Sequence, residues 1–198
     1  MMKYRKIMGM MMYLKPQLMK RIILIIGLMI MGLGMFPQTV KAEINNRILE
    51  EWAKQPTNVQ LNVYYQNTNI RVVDNIPYSD PTLYDVYGLT SMYTIPYTTY
   101  VSRIDVQIKK DHESSLTHEV GHCISNANHS LYWWCYRPEF YQIWMAERDK
   151  AYVLMAQGHD DIKEYFADAY DLYINWNGIL KRVCPMTYNY MTVVLKYT

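Results

Sequence analysis

The chain has 198 residues, enough for one ordinary domain, and its formal charge of +2 is unevenly placed: residues 1–42 hold seven of the 20 Lys+Arg, none of the 18 Asp+Glu and ten of the 15 Met. Residues 43–198 carry 13 Lys+Arg against 18 Asp+Glu, a net charge of −5, which argues against nucleic acid or an anionic membrane as partner. A stretch of this size buries roughly 68–70% of its unfolded surface, so it needs no disulfide framework.

The first 42 residues read as a secretory leader. A basic stretch ends at Lys20-Arg21, the apolar run Ile22–Phe36 follows, and Pro37-Gln38-Thr39-Val40-Lys41-Ala42 supplies a small-residue cleavage site. The run spans 15 residues, short of the roughly 20 that a membrane-spanning helix needs. The expectation is a signal peptide cut after Ala42, an extracellular product with no membrane attachment after cleavage, and a true start at Met19. The three Cys, at 123, 135 and 184, allow at most one bridge within a chain.

Residues 43–198 show no repeat and no linker and read as a single domain. Ile44, Ile48, Leu49 and Trp52 recur at helical spacing, and Pro56 ends that helix. Between 57 and 107 lie β-branched residues, many Tyr and turn signals at Asn75-Ile76-Pro77, Ser79-Asp80-Pro81 and Tyr87-Gly88. Leu61–Tyr65 and Ile70–Val73 read as short strands. The best strand is Tyr100–Ile108, with Ile104, Val106 and Ile108 alternating. The Tyr between 64 and 100 suit a half-buried sheet; the alternative is a binding surface, since Tyr supplies rigid amphipathic contact area. From 114 the period turns helical, with Leu116, Val120 and Ile124 marking one buried face. Helices over 138–156 and 161–176 follow, the latter capped by Asp160 or Asp161 and stopped by Gly178. A small sheet followed by helices is an α+β class.

The chemistry lies at His118-Glu119-Val120-Gly121-His122, an H-E-x-x-H motif. Residues four apart share a helix face, so the two imidazoles can bind one Zn²⁺ while the adjacent Glu119 serves as general base toward its open side. With five His and eight Glu in the chain, chance supplies on the order of 0.005 such matches. Two His leave a catalytic zinc one protein ligand short. Downstream candidates are His129, Glu139, Glu147, His159, Glu164 and Asp168. Glu164-Tyr165-Phe166-Ala167-Asp168 suits the task best. Glu164 and Asp168 share a face at i, i+4, while Phe166, Ala167 and Tyr170 pack inward. Glu164 is then the third ligand, and Asp168 accepts the other N–H of a ligating His and fixes its tautomer.

Leu116–His122, then Glu164–Tyr170, then the chain end Cys184-Pro185-Met186-Thr187-Tyr188-Asn189-Tyr190 resemble the catalytic domain of anthrax lethal factor and the related secreted Pro-Pro endopeptidases, over roughly 100–198. The resemblance implies a zincin fold of gluzincin type, one Zn²⁺ on His118, His122 and Glu164, Glu119 as general base, and a protein or peptide substrate. Two departures stand out. The family carries an oxyanion-stabilising Tyr shortly before the third ligand, and Ala156–Lys163 contains none; Tyr152, the nearest upstream, and His159 are the candidate donors. The second acidic position, often Glu, is Asp168. The rival reading is a secreted, non-catalytic zinc-containing binding module or toxin subunit.

Overall fold

A computed structural model describes residues 46–76, 86–127, 129–155 and 157–198. The leader, its cleavage site, the start at Met19 and the Ser79-Asp80-Pro81 turn lie outside them. Among the described residues no helix is long and apolar enough to cross a membrane.

Helix α1 (Asn46–Ala53) ends before Pro56, and α2 (Thr57–Tyr65) begins directly after it. The strand expected at Leu61–Tyr65 is the second half of α2. The core takes only Val59 and Val63 from this segment, four residues apart, and leaves Leu61, Tyr64 and Tyr65 exposed. A short apolar alternation is ambiguous between the two periods, and Pro56 at the cap, with φ −56° and ψ 146°, favours a new helix. Gln60 Nε2 donates to the carbonyls of Trp52 and Gln55, at 3.2 and 3.0 Å, and so ties α2 to α1.

The sheet has three strands, β1 (Thr68–Val73), β2 (Gly88–Thr94) and β3 (Val101–Lys109), in the order β1-β3-β2. β1 runs parallel to β3, with Ile70 opposite Val106, and β2 runs antiparallel, with Gly88 opposite Ile108 and Thr90 opposite Val106. The expected alternation holds in the central strand: Ile104, Val106 and Ile108 are fully buried. Each contributes about 1.5–3 kcal/mol by leaving water. The opposite face is polar, and Arg103 there pairs with Asp105 at 2.8 Å and lies 4.3 Å over the Tyr93 ring. β2 carries two Thr and a Ser among its seven residues, so its strand character comes from pairing with β3 rather than from an apolar pattern. The Tyr-rich segment is more exposed than a half-buried sheet predicts, since Tyr64, Tyr65, Tyr93, Tyr97 and Tyr100 all face solvent.

Helix α3 (Leu116–Ile124) packs against β2 and against α5 (Ile162–Asn175). Leu116, Val120 and Ile124 are fully buried, as are Phe166, Ala167 and Tyr170 of α5. The two helices touch at Gly121, where a Cβ would lie 2.7 Å from Ala167 Cα; only a residue without a side chain permits that approach. Asp161 caps α5 by accepting from Lys163 N at 2.8 Å. Gly178 does not stop α5. That helix ends at Asn175, and Gly178 sits inside the short α6 (Asn177–Val183).

Helices α4 (Pro138–Ala151) and α7 (Pro185–Tyr197) pack together behind α5. Glu147 of α4, 2% exposed, spans them: its carboxylate accepts from Met186 N, Thr187 N and Thr187 Oγ1 at 3.1, 2.9 and 2.8 Å. It thereby satisfies two of the open amides at the start of α7. Thr187 Oγ1 also lies 2.8 Å from Tyr165 OH, which links this network to the residue after Glu164. All three Cys are free and buried.

Candidate metal centre

Helix α3 presents His118 and His122 one turn apart, with ring centroids 4.9 Å from each other. The close crossing at Gly121 brings α5 near enough for Glu164 to reach both. Glu164 Oε2 lies 3.2 Å from His118 Nε2 and 3.5 Å from His122 Nε2, and one donor atom from each of the three residues falls within 4.8 Å of the others. A tetrahedral ion with bonds near 2.1 Å holds its ligand atoms about 3.4 Å apart. The two separations from the carboxylate oxygen to the imidazole nitrogens, 3.2 and 3.5 Å, match that spacing, and the three donor atoms together could hold a metal ion. On the other side of the His118 ring, Nδ1–H donates to Asp168 Oδ1 at 2.8 Å, which leaves Nε2 to face Glu164.

The charges agree with this geometry. Burial opposes a charge on His118, but hydrogen bonds to Asp168 and Glu164 and the field of Glu119 outweigh it and raise the imidazole to about 10. Burial would raise the Glu164 carboxyl, yet His118 and His122 hold it well below the ordinary carboxylate range. The two shifts share a cause, the close approach of the Glu164 carboxylate to the imidazoles.

The cluster lies on the floor of a groove of about 1030 Å³. Glu119, 4% exposed, lies on the same floor and receives the Thr90 hydroxyl on Oε2 at 2.5 Å. Edge strand β2 forms one wall through Gly88, Leu89 and Thr90. His112 lines the groove as well, stacked 3.9 Å from Tyr87.

The remaining downstream candidates are engaged elsewhere. His129 Nδ1 lies 3.2 Å from Val101 O and its ring stacks on Tyr100; Glu139 pairs with Arg137; Glu147 holds α7. Tyr152 and His159 contact each other, with ring centroids 5.2 Å apart, and neither lines the groove. Tyr152 is 56% exposed, and His159 is held by Asp160 at 2.7 Å and Asp149 at 3.0 Å.

Beside Glu164 the groove carries instead Tyr132 and Lys163, with the Lys163 ammonium 5.5 Å from the Tyr132 ring. Tyr132 has φ 51°, in the left-handed region, and its N–H donates to Asn126 Oδ1 at 2.8 Å. Burial raises its phenol above the ordinary value, so it is a neutral O–H donor at pH 7. Neither residue follows from a motif. Position 163, next to Glu164 of the His/His/Glu cluster, is the sole hint in the sequence, and nothing marks Tyr132 because its loop is brought in by tertiary packing.

The profile of the family described as "Anthrax toxin lethal factor, N- and C-terminal domain" matches residues 36–194. No curated protein matches the chain. Among solved structures, the Pro-Pro endopeptidase PPEP-2 from Paenibacillus alvei is similar at 21% identity and a TM-score of 0.53, over 78% of this chain and 93% of that one. At that identity the likeness speaks for the shared fold, an α+β zincin. With the profile spanning most of its length and a His/His/Glu cluster at the floor of its groove, the chain belongs to the anthrax toxin lethal factor family and is a metallopeptidase of the zinc-dependent class.

Proposed function

We propose that this chain is a secreted endopeptidase that holds one Zn²⁺ on His118, His122 and Glu164 and cleaves an extracellular protein or peptide. The convergence of two Nε2 atoms and one carboxylate oxygen on a common point carries the reading. Imidazole and carboxylate are donors that zinc accepts. When bound, zinc supplies Lewis acidity, bringing a water ligand's pKa toward about 7 and polarising a carbonyl.

The chain's own residues do the rest. Asp168 holds the His118 tautomer. Glu119 takes the proton of the attacking water and delivers it to the leaving amine. Tyr132, a neutral donor beside Glu164, is in place of Tyr152 or His159 as the group that donates to the developing oxyanion, with the Lys163 charge next to it. Among the described residues β2 is an edge strand, and its edge along the groove suits an extended peptide bound by main-chain pairing. A leader of signal-peptide form supports secretion.

A non-catalytic module would close its ion with a fourth protein ligand. Among the described residues three such groups converge, and they do so in an open groove, which favours the enzyme. The test is a mixed peptide library that includes Pro-Pro sequences, because the structural neighbour is named for cutting them. Cleavage that a chelator stops and stoichiometric zinc restores is expected. A zinc-loaded protein that cuts neither the library nor a set of extracellular proteins would contradict the reading.

A further inference from the structure

The general base in the proposed mechanism is held by a strand, not by its own helix alone. Glu119 Oε2 receives the Thr90 hydroxyl at 2.5 Å, while Glu119 O lies 3.3 Å from the same oxygen. A hydroxyl has one proton to give, and the shorter, charge-assisted contact to the carboxylate takes it. Two residues earlier on the same face of β2 is Gly88. A Cβ there would lie 2.7 Å from Glu119 Cγ and 2.8 Å from Cδ, and closer still to Oε1. The carboxylate therefore rests on bare backbone at position 88 and is pinned by the hydroxyl at position 90. Both residues are in turn fixed by register, since Gly88 pairs with Ile108 and Thr90 with Val106, two fully buried residues of the central strand.

We propose that Gly88 and Thr90 form a seat for Glu119, acting as positioning residues that set the carboxylate on the groove floor. The hydroxyl occupies one lone pair of Oε2, and Oε1 rests against Gly88. Leu89, between them, lines the groove on the same edge strand, so the strand that offers its edge to a peptide is also the strand that orients the base. The inference rests on Glu119 being that base, and any side chain at 88 would push the carboxylate out of line. A displacement of about 1 Å at a reacting group can cost on the order of 100-fold in rate.

The test compares the native full chain with Thr90→Val, Thr90→Ser and Glu119→Ala, each loaded with zinc and assayed on a quenched-fluorescent peptide library. Thr90→Val keeps the shape and loses the hydroxyl; its kcat should fall about 10- to 100-fold, with KM and bound zinc unchanged. Thr90→Ser should recover most of the loss. Full kcat in Thr90→Val, a loss that tracks lost zinc, or no recovery by serine would each overturn the proposal. Crystal structures of zinc-loaded native protein and Thr90→Val decide it without turnover. The Glu119 carboxylate should bond Thr90 in the first and move in the second, and a carboxylate unmoved by the substitution overturns the seat. A native protein that cuts nothing but shows this displacement leaves the seat standing and counts against the proposed peptidase function instead.

Discussion

Asp168 Oδ1 accepts from His118 Nδ1 at 2.8 Å, one helical turn beyond Glu164, whose Oε2 faces the opposite nitrogen of the same ring at 3.2 Å. A single helix thus supplies both the third donor and the group that orients the first. Losing such an orienting carboxylate typically costs 10- to 100-fold in metal affinity. Asp168→Ala should weaken zinc binding by about that factor in competition with a chromophoric chelator, with the fold intact. Native affinity in the variant would show that the ring is held by packing alone.

The crossing at Gly121 makes that arrangement possible. A methyl group there meets Ala167 Cα at 2.7 Å, which is backbone and cannot swing away. Gly121→Ala should destabilise the protein by about 1–3 kcal/mol in urea unfolding. It should also lower zinc affinity, because Glu164 moves away from His118 and His122 together with its helix. Unfolding at the native urea midpoint would mean that the helices have room to spare.

Glu147 has the composition of a ligand and the position of a strut. Its carboxylate serves two amides and one hydroxyl at the start of α7, and its removal takes the side-chain acceptor from both amides, of which Thr187 N is buried, while the Thr187 hydroxyl keeps Tyr165. Glu147→Ala should cost about 1–3 kcal/mol, the range for leaving a buried donor without its partner, while zinc bound per folded chain stays at the native value. Loss of zinc at unchanged stability would contradict this assignment.

Zinc binding should expel a proton. With His118 raised to about 10, the ring is charged at pH 7 in the metal-free chain, and a ligating imidazole must be neutral. Glu164 is already ionised, being held below the ordinary range. Calorimetry at pH 7 in buffers of different ionisation enthalpy should therefore report close to one proton released from His118, and zinc affinity should rise about tenfold per pH unit between 6 and 8. Affinity that is flat with pH would show a neutral His118 in the metal-free state.

Local signals carried much of this architecture. Ile104, Val106 and Ile108 announce β3 because a buried strand alternates. Leu116, Val120 and Ile124 announce α3 because a buried helix face repeats every three to four residues, and the H-E-x-x-H spacing places both His on its other side. Glu164 and Asp168 were legible for the same reason, being one turn apart on a helix whose inward residues were apolar. Strand β2 was not legible, since Gly88-Leu89-Thr90-Ser91 owes its form to pairing with β3 and has no pattern of its own. Leu61–Tyr65 misled because Leu, Val and Tyr at alternate positions mimic a strand, whereas burial selects Val59 and Val63. Tyr132 and Thr90 reach the site from loops and edges distant in sequence, and no spacing rule connects them to His118.

The central claim is that Glu119 moves the proton while other residues hold the metal. It is tested most directly by measuring kcat and bound zinc for Glu119→Gln beside the native chain on a peptide that the native chain cleaves. The substitution preserves shape and removes the base. One zinc per chain in both proteins, with kcat reduced by at least about 100-fold in the variant, is the predicted result. A variant that retains zinc and cleaves at the native rate would contradict the account.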